Sequence, residues 1–222
     1  MSISTFDSTR AQAYDQFIVN WFPDYQYVLD LIPRLLNTYC HQNRRILVAG
    51  CGSGNDIISL LNSDYHWDIT GIDPSKEMLN YAMNKIPAVN AVTLNQCTVE
   101  HLDLNAFGAA TSVLVLHLLP DDGAKLNYLN SLSDRLLQNA PLAIVDIFGS
   151  ANELESNLDC LVQKLPDYIS DDEVRERVNR IISQIHYIPE DRLNELLLES
   201  GFRPALKFFN DTIYGGWITR KI

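Results

Sequence analysis

Three glycines on alternate positions, Gly50, Gly52 and Gly54, directly follow a short apolar run, Ile46-Leu47-Val48-Ala49. A second apolar run, Asp68-Ile69-Thr70-Gly71-Ile72-Asp73, ends in a carboxylate 19 positions past Gly54. Glycine accepts positive φ and lets a ligand approach the backbone with no Cβ in the way. A helical pattern, Asp56-Ile57-Ile58-Ser59-Leu60-Leu61, opens just beyond, so free N–H groups and a partial positive charge face the same place. A carboxylate about 20 residues after such a turn can accept hydrogen bonds from both hydroxyls of a ribose. The combination points to a nucleoside-containing cofactor. The plainer alternative is a ligand-free turn, with Asp73 only capping the helix that Pro74 introduces; alternating glycines behind a buried strand argue against it.

Other candidate groups stand at the ends of later apolar runs. His117 closes Thr111–His117, and Asp146 closes Pro141–Asp146. A histidine suits general base work near neutral pH, provided its geometry allows it. Capping a loop is the simpler role for each. His186-Tyr187 would line an acceptor pocket, but the favoured reading makes His186 a core histidine.

These residues need elements to hold them. Residues 8–22 read as a first helix, capped by Asp7 or Ser8, and the stretch after Phe22-Pro23 as a second, which Pro33 should kink or divide. From Arg45 strands and helices alternate: strands at 46–49, 68–73, 92–96, 111–117 and 141–146, and helices through Met78–Met83 and Leu126–Leu136. Pro74 should sit in the first turn of its helix. Such alternation predicts a parallel sheet covered on both faces. Residues 151–200 carry a net charge of −7 and helical patterns broken at Pro166 and Pro189, with Asp171-Asp172-Glu173 as an acidic helix start. Strands at 202–209 and 213–219 should close the sheet as an antiparallel hairpin. The expectation is an α/β, doubly wound, mostly parallel seven-stranded sheet in one domain: an N-terminal helical cap (1–44), a cofactor-binding core (45–149), a helical insertion or lid (150–200) and the hairpin (201–222).

The chain has 222 residues and a formal charge of −11, which repels polyanions and counts against a nucleic-acid partner. Cys40, Cys51, Cys97 and Cys160 form no CxxC pair and no zinc-spaced cluster with histidine, so no metal is expected. The first residues lack the basic segment and apolar core of a signal peptide, and no run approaches the roughly 20 residues of a membrane span. A cytoplasmic protein without membrane contact is expected. Phe17, Trp21, Phe22 and Tyr25 would either pack on the sheet, the simpler account, or face a second copy in a homodimer.

Two cofactors compete for the glycine turn. A dinucleotide site asks for G-x-G-x-x-G, whereas here the spacing is G-x-G-x-G, and no residue after the fourth strand has a nicotinamide role. An NAD-dependent oxidoreductase is therefore the weakest reading. At Ile46–Gly54, Gly71-Ile72-Asp73-Pro74-Ser75-Lys76-Glu77-Met78, Cys97–Leu102, Val115–Asp121 and Leu196–Phe202 the chain resembles the class I S-adenosylmethionine-dependent methyltransferases. The resemblance covers about residues 45–222. Ala13-Tyr14-Asp15 with Pro23-Asp24-Tyr25 is similar to a small bacterial branch of that family, which includes carboxy-S-adenosylmethionine synthase.

That resemblance implies S-adenosylmethionine as cofactor, S-adenosylhomocysteine as product and a Rossmann-like fold. It places Gly50, Cys51, Gly52 and Gly54 against the methionine and ribose, and Asp73 on the ribose. Pro74, Met78, Thr98 and Val99 would border the adenine, with Leu116 and the catalytic candidate His117 beside the reactive methyl. Tyr14 would close over the methionine end. Val48 stands where the family has an acidic residue, Thr98 where it has Asp, and Gln138-Asn139-Ala140-Pro141 where it has Lys-Pro-Gly-Gly. The expected activity is in-line methyl transfer to a small-molecule acceptor. The alternatives are a carboxy-S-adenosylmethionine synthase, a tRNA-directed methyltransferase, or a non-catalytic module that binds the cofactor.

Overall fold

The computed structural model describes residues 8–40 and 43–222. Its elements run in the order α1 (Ser8–Trp21), α2 (Tyr25–Tyr39), β1 (Arg45–Ala49), α3 (Asn55–Asn62), β2 (Asp68–Ile72), α4 (Lys76–Lys85), β3 (Val92–Asn95), β4 (Ala109–Val113), α5 (Ala124–Arg135), β5 (Pro141–Ile147), α6 (Ala151–Val162), α7 (Asp171–Gln184), α8 (Glu190–Glu199), β6 (Leu206–Asp211) and β7 (Tyr214–Arg220). The seven strands form one sheet in the order β3-β2-β1-β4-β5-β7-β6. Strands β1 to β5 are parallel, and β7 runs antiparallel to both β5 and β6. The α/β doubly wound sheet and its C-terminal hairpin are thus as the residue pattern predicts. Among the described residues no helix is long and apolar enough to cross a membrane.

The parallel strands are apolar on both sides because helices cover both faces. Ile46 and Val48 point into one core with α1, α2, α3, α6 and α7, and Leu47 and Ala49 into another with α5 and α8. The period-two alternation of side chains makes that division. Trp21, Phe22 and Tyr25 are buried in the first core, and Phe17 packs against it, so the chain's own sheet covers these aromatic groups. Phe22 stacks on Tyr214, with ring centroids 4.0 Å apart.

The structure corrects several expectations. Pro33 does not divide α2, which runs unbroken from Tyr25 to Tyr39. Proline deprives the carbonyl four residues earlier of its N–H donor; that carbonyl, on Leu29, instead accepts the Ser59 hydroxyl at 2.9 Å. The fourth strand stops at Val113, and Leu116–Leu118 form a 3-10 turn. Leu114 takes a left-handed φ of 58°, which ends the strand there. Pro74 lies outside its helix: Ser75 is the N-cap, and its hydroxyl accepts from Met78 N. Strand β6 begins at Leu206, beyond Pro204, which has no N–H for a ladder. Phe202 makes only a single bridge, to Lys221. The expected cap Asp7 lies outside the described residues. The acidic start of α7 forms a capping box between Ser170 and Glu173.

Candidate active site

The turn after β1 is built by backbone. Gly50, Gly52 and Gly54 have φ of 76°, 47° and 81°. The N–H groups of Gly50 and Cys51 both donate to Ile72 O, at 2.9 Å each, which ties the turn to the end of β2. A Cβ built on Gly50 would lie 2.5 Å from Val115 Cγ2, so glycine is required there for a second reason. The same closeness shows that the segment after β4 rests directly on the glycine turn. Gly52 faces Met78, whose Cε would stand 3.2 Å from an added Cβ.

Asp73 sits at the end of β2, 9% exposed, and meets the turn. Its Oδ2 accepts from Gly52 N at 2.9 Å and its Oδ1 from Ser75 N at 2.8 Å. Burial raises its pKa, and the two backbone donors oppose that shift. An ionised carboxylate offers about four lone-pair sites, of which two are used here, so two remain for a diol. The two free acceptor sites of Asp73 beside the glycine turn therefore fit the ribose of an adenosyl ligand.

The remaining expected cofactor residues take the following places in the fold. Cys51 and Met78 are buried beside the glycine turn, Pro74 is exposed on its rim, and Val99 and Leu116 are buried in the second core. The Thr98 hydroxyl meets His101 Nδ1 at 2.9 Å. Tyr14 is half-buried against the first core, and desolvation and then the charge of Asp56 raise the pKa of its phenol.

Across the turn, His117 and Asp146 form a pair that their 29-residue separation conceals. His117 Nδ1 lies 2.7 Å from Asp146 Oδ1, and the two residues are 8% and 3% exposed. The carboxylate also accepts four backbone N–H groups: Val115 and Leu116 on Oδ2, at 3.1 and 2.7 Å, and His117 and Ile147 on Oδ1, at 3.2 and 2.7 Å. With five N–H groups converging on it, the carboxylate is the acceptor and Nδ1 the donor. Nε2 is then left as the basic nitrogen.

Lys125, from α5, was not foreseen. Fully buried, its ammonium donates to Leu116 O and, at 2.6 Å, to His186 O. Burial lowers its pKa from 10.5 to about 8, against the pull of Asp146 and Asp121. His186 is exposed, contrary to its reading as a core histidine. It acts through backbone, its N–H donating to His117 O at 2.9 Å. The segment after α7 is thereby stitched to the loop that holds His117.

A third cluster joins the N-terminal helix to the turn. Asp15 accepts from Ser53 Oγ (2.6 Å), Asn55 Nδ2 (2.9 Å) and Lys85 Nζ (2.6 Å). From the insertion, the Arg177 guanidinium lies over the rings of Phe17 and Trp21, at 4.7 and 5.9 Å, and its Nε is buried with no hydrogen-bond partner among the described residues. Burial lowers its pKa, opposed first by Tyr214. Asp15 lies in the Ala13-Tyr14-Asp15 signature; Arg177 and Lys125 carry no local signal, because their partners come from distant parts of the chain.

Residues 46–136 match a family model described as a methyltransferase domain. A carboxy-S-adenosyl-L-methionine synthase from Campylobacter lari is 30% identical over 86 residues, which cover 39% of this chain and 37% of that relative. The enzyme of the same name from Campylobacter jejuni is 23% identical over 210 residues, covering 92% of this chain and 88% of the relative. Among solved structures, magnesium protoporphyrin IX methyltransferase from Synechocystis, with bound S-adenosylhomocysteine, superposes with a TM-score of 0.70 at 14% identity, over 98% of this chain and 96% of that one.

Proposed function

We propose that the chain, whose residues 46–136 match a methyltransferase domain and whose fold is that of an S-adenosylmethionine-dependent methyltransferase, transfers a methyl group to a small-molecule acceptor held between the sheet rim and helices α1 and α7. The observation that carries the reading is the Asp73 carboxylate drawn onto the glycine turn by Gly52 N, with the His117–Asp146 pair on the adjoining loop. S-adenosylmethionine, when bound, supplies a methyl group already activated on a sulfonium sulfur. The chain's task is then alignment and exclusion of water. Gly50, Gly52 and Gly54 let the ligand approach the backbone, and Asp73 holds the ribose hydroxyls. Asp146 fixes the His117 ring, so that Nε2 accepts a proton from a hydroxyl or ammonium acceptor. Leu116 and Val115 wall the methyl side, and Tyr14 closes the amino-acid end.

Arg177, Phe17, Trp21 and Tyr214 make an aromatic, cationic wall on the insertion side. An anionic group on the acceptor would answer the unpartnered guanidinium nitrogen. The net charge of −11 counts against tRNA.

Calorimetry with S-adenosylmethionine, S-adenosylhomocysteine and NADH tests the cofactor reading. Both adenosyl ligands should bind, Asp73→Ala should weaken both by about tenfold or more, and NADH should not bind. A folded protein that binds neither adenosyl ligand removes the proposal.

The Campylobacter jejuni relative, matched along 92% of this chain, favours a second reading in which the product is a carboxylated cofactor. The extra carboxylate would also give Arg177 its anion. Mass spectrometry of the ligand released from freshly purified protein separates the two readings. A species heavier than S-adenosylmethionine by one carboxylate supports the second; its absence after incubation with cofactor and candidate carboxyl donors supports the first.

A further inference from the structure

Asp56 has no place in the chemistry above. It lies in the first turn of α3, two residues past the last glycine, and is 6% exposed. Its Oδ1 accepts from Ile57 N at 2.9 Å, its own N–H is a second backbone donor to the carboxyl, and no cation among the described residues pairs with it. The nearby cation is already engaged: Lys85 pairs with Asp15 at 2.6 Å and with Asn55 Oδ1 at 2.7 Å. The groups facing Asp56 come from five other places in the fold. They are Asp73 at the end of β2, Cys51 in the glycine turn, Lys85 on α4, and Tyr14 and Tyr25 on α1 and α2. None of these gives it a counter-charge at bonding distance. Burial pushes its carboxyl up to about 7, and the charge of Asp73 adds to the shift.

A buried carboxylate without a cation is costly, and folded chains rarely keep one without use. Helix capping alone does not call for one, since the oxygen of an amide would accept from Ile57 N equally well. The position is specific. Val48 is buried in the first core, so β1 ends without a carboxylate, and Asp73 is occupied at Gly52 and Ser75. Asp56 is the remaining buried carboxylate beside the glycine turn, on the side of Tyr14 and Tyr25. His117 and Asp146 stand on the loop and strand beyond β1, at β4 and β5. A sulfonium that presents its methyl to His117 leaves the ammonium of the same ligand for the Asp56 side.

We propose that Asp56 is the counter-ion for the α-ammonium of the cofactor's amino-acid end, completing its pairing only when the ligand is bound. The inference rests on the adenosyl reading of this rim. Binding then ionises Asp56 and releases a proton in slightly acid to neutral solution, so affinity rises with pH up to about 7.

The test is a cycle of two proteins and two ligands, measured by calorimetry on the full chain. S-adenosylhomocysteine carries the ammonium; 5′-methylthioadenosine has the same nucleoside without the amino-acid end. Asp56→Asn keeps the acceptor for Ile57 N and should weaken S-adenosylhomocysteine by about 10- to 100-fold, while binding 5′-methylthioadenosine as the wild type does. In the wild type, buffers of different ionisation enthalpy should report proton release at pH 6–7 that the variant lacks; the ligand's own amine titrates alike in both. Equal loss of both ligands would make Asp56 a structural residue and overturn the inference, as would unchanged affinity for S-adenosylhomocysteine. A wild type that binds neither ligand would overturn the adenosyl reading itself.

Discussion

The two halves of the candidate site's rim are built by different means. The glycine turn and Asp73 come from one strand–turn–helix–strand run, residues 45–75, and are held by local backbone hydrogen bonds. The half that carries His117 is assembled from separate pieces: Asp146 from β5, Lys125 from α5 and the backbone of His186 from beyond α7. The first half is a property of a short stretch of sequence; the second exists only once the whole sheet and the insertion are in place. Val115, packed at the Gly50 Cα, joins the two. An alteration in the first half should therefore strike ligand binding directly, and one in the second should loosen several segments together.

The sharpest break is at the join. In Gly50→Ala the new methyl lies 2.5 Å from Val115 Cγ2, and the residue must hold a φ of 76°. Overpacking and left-handed strain together should destabilise the fold by about 2–4 kcal/mol, and binding of S-adenosylhomocysteine should be lost. Denaturant unfolding and calorimetry check both. Shrinking Val115 to Ala in the same protein should recover part of the stability, because it relieves the clash but not the φ.

Within the assembled half, Asp146→Asn turns one acceptor oxygen into a donor that faces backbone N–H groups. About 3 kcal/mol of stability should go, with the His117 ring freed from its Nδ1 hydrogen bond. A ¹⁵N spectrum of the imidazole should show a change of tautomer in the variant. If the tautomer is unchanged, Asp146 does not orient the ring.

This division also governs what could be read from sequence. The order of elements, the parallel sheet, the hairpin and the glycine turn with Asp73 were all legible, because each depends on periodicity or on residues close together in the chain. His117 and Asp146 were visible singly, as polar ends of apolar runs, but their pairing was not. Lys125 was invisible, since a lysine among the leucines of a helix reads as its solvent face, whereas here it is fully buried with its ammonium on two carbonyls. The continuity of α2 through Pro33 was hidden for the same reason: the donor that satisfies Leu29 O belongs to Ser59, 30 positions away. The fourth strand ran too long because Leu114 gives no local warning of a left-handed φ.

Lys125→Met tests how firmly the insertion is stitched to the His117 loop. The variant removes the donor to Leu116 O and His186 O but fills the same space. A loss of about 2 kcal/mol is expected, with faster amide exchange in both 114–118 and 185–188. The pH dependence has a definite sign. The lysine's pKa is about 8 folded against 10.5 unfolded, so the unfolded chain holds more protons between those values and wild-type stability rises as pH climbs through that window. Methionine abolishes the rise. Exchange confined to one segment would show that the stitch does not couple them.

The smallest expected effect belongs to the latch of α1 on the glycine turn. Asp15 is part-exposed, so its ion pair with Lys85 is screened, and Asp15→Asn should lower stability by no more than about 1 kcal/mol. Lys85, Ser53 and Asn55 outweigh burial and hold the Asp15 pKa below its ordinary 3.8. The group therefore stabilises above the ordinary carboxylate pKa and ceases to do so as pH falls through its depressed one, so wild type and variant should converge in strong acid. The local consequence is larger than the global one. The latch ties the helix bearing Tyr14 to Ser53, between two of the turn's glycines, so exchange across Ala13–Asn20 should quicken in the variant before the sheet opens at all. Should that exchange stay at the wild-type rate, packing of Ile18 and Trp21 in the first core is enough to hold α1 down, and the latch adds only orientation to the site.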